Sequence, residues 1–85
     1  SFHMVTLGGN RTLAVEDAKV GQKFMIRLQQ DGAGSRTVTF FDGIRWAGGG
    51  TAPTLTTTAN QADLFGFVAT SGTTEFDGFI IGQNI

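Results

Sequence analysis

Apolar and polar residues alternate along several short stretches of this chain, and a period of two predicts strands. The clearest stretch is Phe24–Gln30, where Phe24, Ile26 and Leu28 alternate with Met25, Arg27 and Gln29. Arg36–Phe41 alternates again, with Val38 and Phe40 on one face and Thr37, Thr39 and Phe41 on the other. Turn formers, Asp31-Gly32-Ala33-Gly34-Ser35, lie between them, so the two runs predict a β-hairpin. Upstream, the short apolar Val5–Leu7 stops at Gly8-Gly9-Asn10, and Thr12–Val15 is a second short run. Glu16-Asp17-Ala18-Lys19, the only charge cluster, reads as a solvated loop closed by Gly21, with one helical turn as the alternative.

The second half continues in the same style. Asp42-Gly43 predicts a turn, Ile44-Arg45-Trp46 a brief strand, and Ala47-Gly48-Gly49-Gly50 a flexible loop. The Thr-rich Pro53–Thr58 reads as an edge strand that begins at proline. Asn60-Gln61-Ala62-Asp63 reads as a turn. Leu64–Ala69 and Glu75–Ile81 predict a second hairpin around Ser71-Gly72-Thr73-Thr74. Turns recur about every 8–12 residues, the spacing of a sandwich or barrel. No window keeps a helical period, and 13 glycines with many threonines disfavour helix. The fold expected is all-β: a small antiparallel β-sandwich, jelly-roll-like.

Two strands are apolar on both faces. Phe65 and Phe67 should face one way and Leu64 and Val68 the other, while Phe76 and Ile80 oppose Phe79 and Ile81. A two-layer domain buries one face of each sheet internally. A bare second face is an aggregation hazard, so a second subunit is its natural cover. The expectation is an oligomer with Phe41, Phe65, Phe67, Phe79 and Ile81 at the subunit interface. The competing reading is a monomer in which Gly66 and Gly78 thin the packing.

Composition narrows the function. Eighty-five residues form one domain without room for two cores. Ser1-Phe2-His3-Met4 reads as a cloning remnant and is set aside, leaving residues 5–85 as a single β domain. Charged residues make up only 15 %, against about a quarter in a typical soluble domain. The net charge is -1 and the six basic residues are scattered, so nothing favours nucleic acid or an anionic membrane. No stretch approaches the roughly 20 apolar residues of a membrane helix. Without cysteine, disulfides and thiolate chemistry are excluded.

The search for chemistry is nearly empty, and the expectation is that the chain is not an enzyme. His3, the only histidine, lies in the apparent remnant, so no Ser-His-Asp or Cys-His pair is expected. Zinc ligands at close spacing are missing, and neither a metal nor a cofactor is expected. Glu75 and Asp77 share a strand face and could act as acid and base, but such a pair is far more often a solvated rim. Gly32-Ala33-Gly34 begins a dinucleotide fingerprint that fails at Thr37 and is followed by a strand, not a helix. Asp31 lacks the alternate ligands of a calcium loop. Asn10-Arg11-Thr12 is a formal glycosylation sequon, relevant only to a secreted eukaryotic protein. Trp46, with Arg45 and Asp42 nearby, is the best candidate ligand contact, able to stack on a sugar while its neighbours bond hydroxyls. The competing reading makes Trp46 a core or interface residue, the commoner fate of a lone aromatic.

The run from Leu28 to Pro53 resembles a module of bacteriophage tail, fibre and other virion structural proteins. The residues that carry the likeness are Gln30-Asp31-Gly32-Ala33-Gly34-Ser35-Arg36-Thr37-Val38-Thr39-Phe40, then Ile44-Arg45-Trp46, then Gly48-Gly49-Gly50-Thr51-Ala52-Pro53. Ala62-Asp63-Leu64-Phe65-Gly66-Phe67 and the closing Phe76-Asp77-Gly78-Phe79 through Gly82-Gln83-Asn84-Ile85 extend it. Phe40 or Phe41 stands where that family often has tryptophan. The resemblance implies a homotrimer, a C-terminal module of a longer phage structural protein, and a place in the virion after synthesis in bacterial cytoplasm. Two functions follow as expectations. One is a module that trimerises or caps a tail fibre, head fibre or decoration protein, in contact with other virion proteins. The other is a receptor- or carbohydrate-binding tip that meets a host-surface glycan.

Overall fold

A computed structural model describes residues 1–71 and 74–85. Among them are seven strands and no helix: β1 (Phe2–Leu7), β2 (Arg11–Thr12), β3 (Lys23–Gln30), β4 (Val38–Thr39), β5 (Ile44–Trp46), β6 (Ala62–Ala69) and β7 (Phe76–Gly82). Five of them form one sheet in the order β1-β3-β6-β7-β5, and β2 and β4 form a separate two-stranded pair. The all-β expectation holds, but the large sheet is mixed. Only β3/β6 and β6/β7 are antiparallel, whereas β1/β3, β5/β7 and β2/β4 run parallel. Residues 2–4 belong to β1, in register with Met25–Arg27 of β3.

The period-two reading of Phe24–Gln30 is matched residue by residue. Phe24, Ile26, Leu28 and Gln30 are buried, while Lys23 and Met25 are exposed. The hairpin of Leu64–Ala69 with Glu75–Ile81 is also present, as β6 paired antiparallel with β7. The turn read at Ser71–Thr74 includes Gly72 and Thr73, which lie outside the described residues.

The first hairpin is a correction. Phe24–Gln30 does not pair with Arg36–Phe41, because β1 and β6 occupy the two edges of β3. Consecutive left-handed residues, Gly34 (φ 68) and Ser35 (φ 60), turn the chain away from the sheet plane. Asp31 fixes this turn. Its Oδ1 accepts from the N–H groups of Ala33 and Gly34, and its Oδ2 meets the Arg36 guanidinium at 3.0 Å. The Arg36 hydrogen bond holds the Asp31 carboxyl below its ordinary value, with the two backbone donors assisting against the cost of burial. Only Val38–Thr39 remains extended enough to pair, and it pairs with β2. Phe40 and Phe41 lie past the end of that strand and both turn toward the core, so they do not sit on opposite faces as alternation predicts.

A second correction concerns Pro53–Thr58, which forms no strand and joins no sheet. Its backbone groups are taken by side chains and by a loop. Gln30 Nε2 donates to the carbonyls of Arg36 and Thr56, and Gln30 Oε1 accepts from Arg36 N–H. One buried amide thus replaces a strand neighbour for two segments. Ser35 N–H donates to the Thr57 carbonyl, and Gln83 Nε2 to that of Thr54. Each buried polar group needs such a partner, since leaving one unmet costs about 1–3 kcal/mol.

Asp63 is the other anchor of this layer. It is fully buried at the start of β6. Its Oδ2 accepts from Thr56 N–H at 2.7 Å and from Gln83 Nε2 at 3.0 Å, and its Oδ1 accepts from Asn84 N–H at 2.9 Å. Burial pushes this carboxyl up, but the hydrogen bonds from Thr56, Asn84 and Gln83 outweigh it and leave it below the ordinary value.

The core lies between one face of the large sheet and the covering segments. Phe24, Phe65, Phe67 and Phe76 project from the sheet, and Phe40, Phe41, Leu13, Val15 and Leu55 meet them from the cover. The rings pack edge-on: Phe41 lies 4.8 Å from Phe76 and 5.0 Å from Phe67, and Phe40 lies 5.4 Å from Phe65. Trp46 enters the same cluster because Gly78, its register partner on β7, has no side chain. A Cβ at Gly78 would stand 2.9 Å from Trp46 Cε3 and 2.7 Å from Ile44 Cγ2.

Two predictions follow from these contacts. Asp63→Asn turns an amide N–H₂ or an under-strength acceptor toward three donors, and should cost about 2–3 kcal/mol in urea unfolding at neutral pH. The folded carboxyl titrates below the unfolded one, so its stabilisation is present above about pH 4 and fades as pH falls through the folded value. Asp63→Asn should therefore flatten the acid limb of the stability profile; an unchanged limb would remove Asp63 from the account. Gly78→Ala should cost about 1–3 kcal/mol by overpacking and red-shift the emission of the single tryptophan. Unchanged emission and midpoint would show that the pocket yields freely.

Candidate functional site

Three places could carry function, and each is built from the elements above. The first is a cleft of about 650 Å³ between the 36–46 segment and the Pro53–Thr57 run, lined by Thr37, Phe40, Asp42, Trp46, Thr54 and Leu55. It contains two of the three residues read from the sequence as ligand contacts. Asp42 is exposed at its edge. Trp46 is 7 % exposed, with its ring edge-on to Phe40 at 5.0 Å and to Phe65 at 5.9 Å. Little of the indole face is left for a sugar to stack on. Arg45, the third residue, precedes Trp46 on β5 and so projects from the opposite face. It is highly exposed and lies 4.0 Å from Glu75. The structure brings Asp42 and Trp46 to one cleft and keeps Arg45 away from it.

The same ion pair bears on the carboxylates. Glu75 contacts Arg45, and Asp77 is the register partner of Arg45 on β7. The two acids and the Arg45 guanidinium thus share the outer side of the β5–β7 edge. Ser1 Oγ and His3 Nε2 are 3.2 Å apart at the start of β1, both exposed. Among the described residues no carboxylate lies within ion-pair distance of His3 to orient the ring. No group of three or more His, Cys, Asp or Glu residues is placed to hold a metal, again among the described residues.

The second place is a groove of about 330 Å³ between the edge strand β1 and the 13–18 loop, lined in part by Val5, Leu13, Val15 and Ile26. The third is the outer face of the large sheet. Every second residue of β1, β3, β6 and β7 points there, and the pairing registers align them in rows across the strands. Phe2, Met25, Gly66 and Phe79 form one row. Ile81 lies across Gly66, where a Cβ would stand 3.0 Å from its Cδ1. These residues share a shallow depression of about 570 Å³. Phe2 is 49 %, Met25 38 %, Phe79 43 % and Ile81 52 % exposed. Among the described residues no segment covers this face.

The residues read from the sequence as an interface divide between the two faces. Phe79 and Ile81 lie on the open one. Phe65 and Phe67, at 0 % and 2 % exposure, lie in the core of the single chain, and Phe41 packs against that core. Met25 and Phe2 escaped the sequence reading. Their membership depends on the register of β1 against β3 and of β3 against β6, pairings between distant segments that no local pattern announces.

No helix is long and apolar enough to cross a membrane. No curated protein and no solved structure shows significant similarity to the chain. A family model described as "Putative phage tail fibre C-terminal domain" matches residues 1–75, the chain up to the start of β7. The chain therefore belongs to this family of phage tail fibre C-terminal domains, virion components with a structural role that associate with other virion proteins.

Proposed function

We propose that this domain is a non-enzymatic module that trimerises or caps a tail fibre by packing the open face of its large sheet against further copies of itself. The observation that supports the reading is the apolar surface that Met25, Phe79 and Ile81 form around Gly66, exposed in one chain. Burying such a face yields about 25 cal/mol per Å² of apolar surface, the driving force for association. Obligate assemblies have interfaces of this apolar kind. Homotrimeric symmetry suits a fibre, in which identical chains end together. Phe79 and Ile81 are interface residues in this reading, joined by Met25, while Phe65 and Phe67 hold the strands that present them.

The alternative of a glycan-binding tip draws less support. Its best stacking residue, Trp46, is packed among phenylalanines, and its third polar contact, Arg45, points elsewhere. Asp42 and the threonines of the cleft are what remain for it.

Sizing by light scattering at micromolar concentration tests the proposal. The chain should run as a trimer of its 9.0 kDa monomer. Phe79→Asp should release folded monomers, because a carboxylate on the exposed face costs the single chain little and the assembly much. A monomeric parent chain would overturn the proposal. A trimer combined with glycan binding that Asp42→Ala or Trp46→Ala abolishes would move the function to the tip reading.

A further inference from the structure

The charged residues that border the apolar row are not symmetric. Lys23, Val68 and Asp77 lie level across β3, β6 and β7 on one side of the Met25–Gly66–Phe79 row, and Arg27 and Leu64 lie level on its other side. The β3 side of the face therefore carries two cations, Lys23 and Arg27. The β7 side carries the Asp77 and Glu75 carboxylates with Arg45 of β5 level with Asp77, two acids to one cation, so it is net negative.

This asymmetry constrains how copies meet. If the rotation axis relating them runs along the strands, the rows of each copy stay level with those of the next. The β3 side of one chain then meets the β7 side of its neighbour. Lys23 faces Asp77, and Met25 faces Phe79, a thioether against an aromatic ring. If the axis runs across the strands, row order reverses about Gly66 and Lys23 faces Arg27 of the partner, cation on cation. Like charges opposed in a desolvated interface select against that arrangement.

We infer that copies of this chain associate about an axis parallel to the strands of the large sheet, with Lys23 of each copy paired to Asp77 of the next. The partner is a second copy of this chain, and the inference rests on the open face being the interface. Charge complementarity across the face, with the apolar row between, favours it.

Cysteine pairing tests it directly, since this chain has no cysteine to interfere. Lys23 and Asp77 are separated by β6, so their Cα atoms are about 9.5 Å apart within one chain. That exceeds the ~7 Å reach of a disulfide, and a bond between these positions must join different copies. The double variant Lys23→Cys with Asp77→Cys, oxidised after assembly, should give covalent oligomers on denaturing gels, closing at three chains for a trimer. Each single variant should remain uncrosslinked. Strong dimers from Lys23→Cys alone, or no crosslink in an assembly that scattering shows intact, would overturn the pairing while leaving the open-face interface standing. A parent chain that is monomeric fails the interface reading itself, which sizing reveals before oxidation.

Discussion

Strand β6 is central to the large sheet and apolar on both sides. It sends Phe65 and Phe67 into the core and Leu64 and Val68 to the other face, and Gly66 between them leaves room for Ile81 to lie across the strand. A strand of this composition requires cover above and below. The described residues supply it on one side only. The open side of the five-stranded sheet is what the proposed association of copies accounts for.

The layer that is present is irregular, and polar side chains hold it in place of a second large sheet. Gln30 stands in for a strand between Arg36 and Thr56. Asp63 ties the Pro53–Thr58 run and the C-terminal residues to the mouth of β6. Both groups are buried, and both are satisfied. The arrangement lets loops lie flat on an aromatic core, so Phe40 and Phe41 can both enter it from consecutive positions. It also explains why the motif residues of the family resemblance include so many polar ones. Gln30, Asp31, Arg36, Asp63, Gln83 and Asn84 all act within the fold, each as a hydrogen-bond partner of a loop.

Local periodicity made β3, β6 and β7 legible, because alternation along one strand reports its buried face without reference to any partner. The all-β class and the β6–β7 hairpin followed from it. Pairing between distant segments was not legible. The register of β1 on β3, and hence the place of Phe2, depends on contacts between residues more than twenty apart. The expected hairpin after β3 failed because two left-handed residues and the Gln30 amide redirect the chain, effects carried by single side chains within a loop rich in turn formers. In the sequence Trp46 reads as a core or interface residue first and as a ligand platform second. The parallel pairing of β5 with β7, which sets it over Gly78, decides for the core.

Hydroxyl-radical footprinting measures the cover of the open face residue by residue. In the assembled chain Met25 and Phe79 should be protected, while Val20, exposed in the loop before β3, should react. Protection should disappear on dilution below the association midpoint. Labelling of Met25 and Phe79 at the rate expected of the single chain, at every concentration, would contradict the claim that this sheet completes itself with other copies.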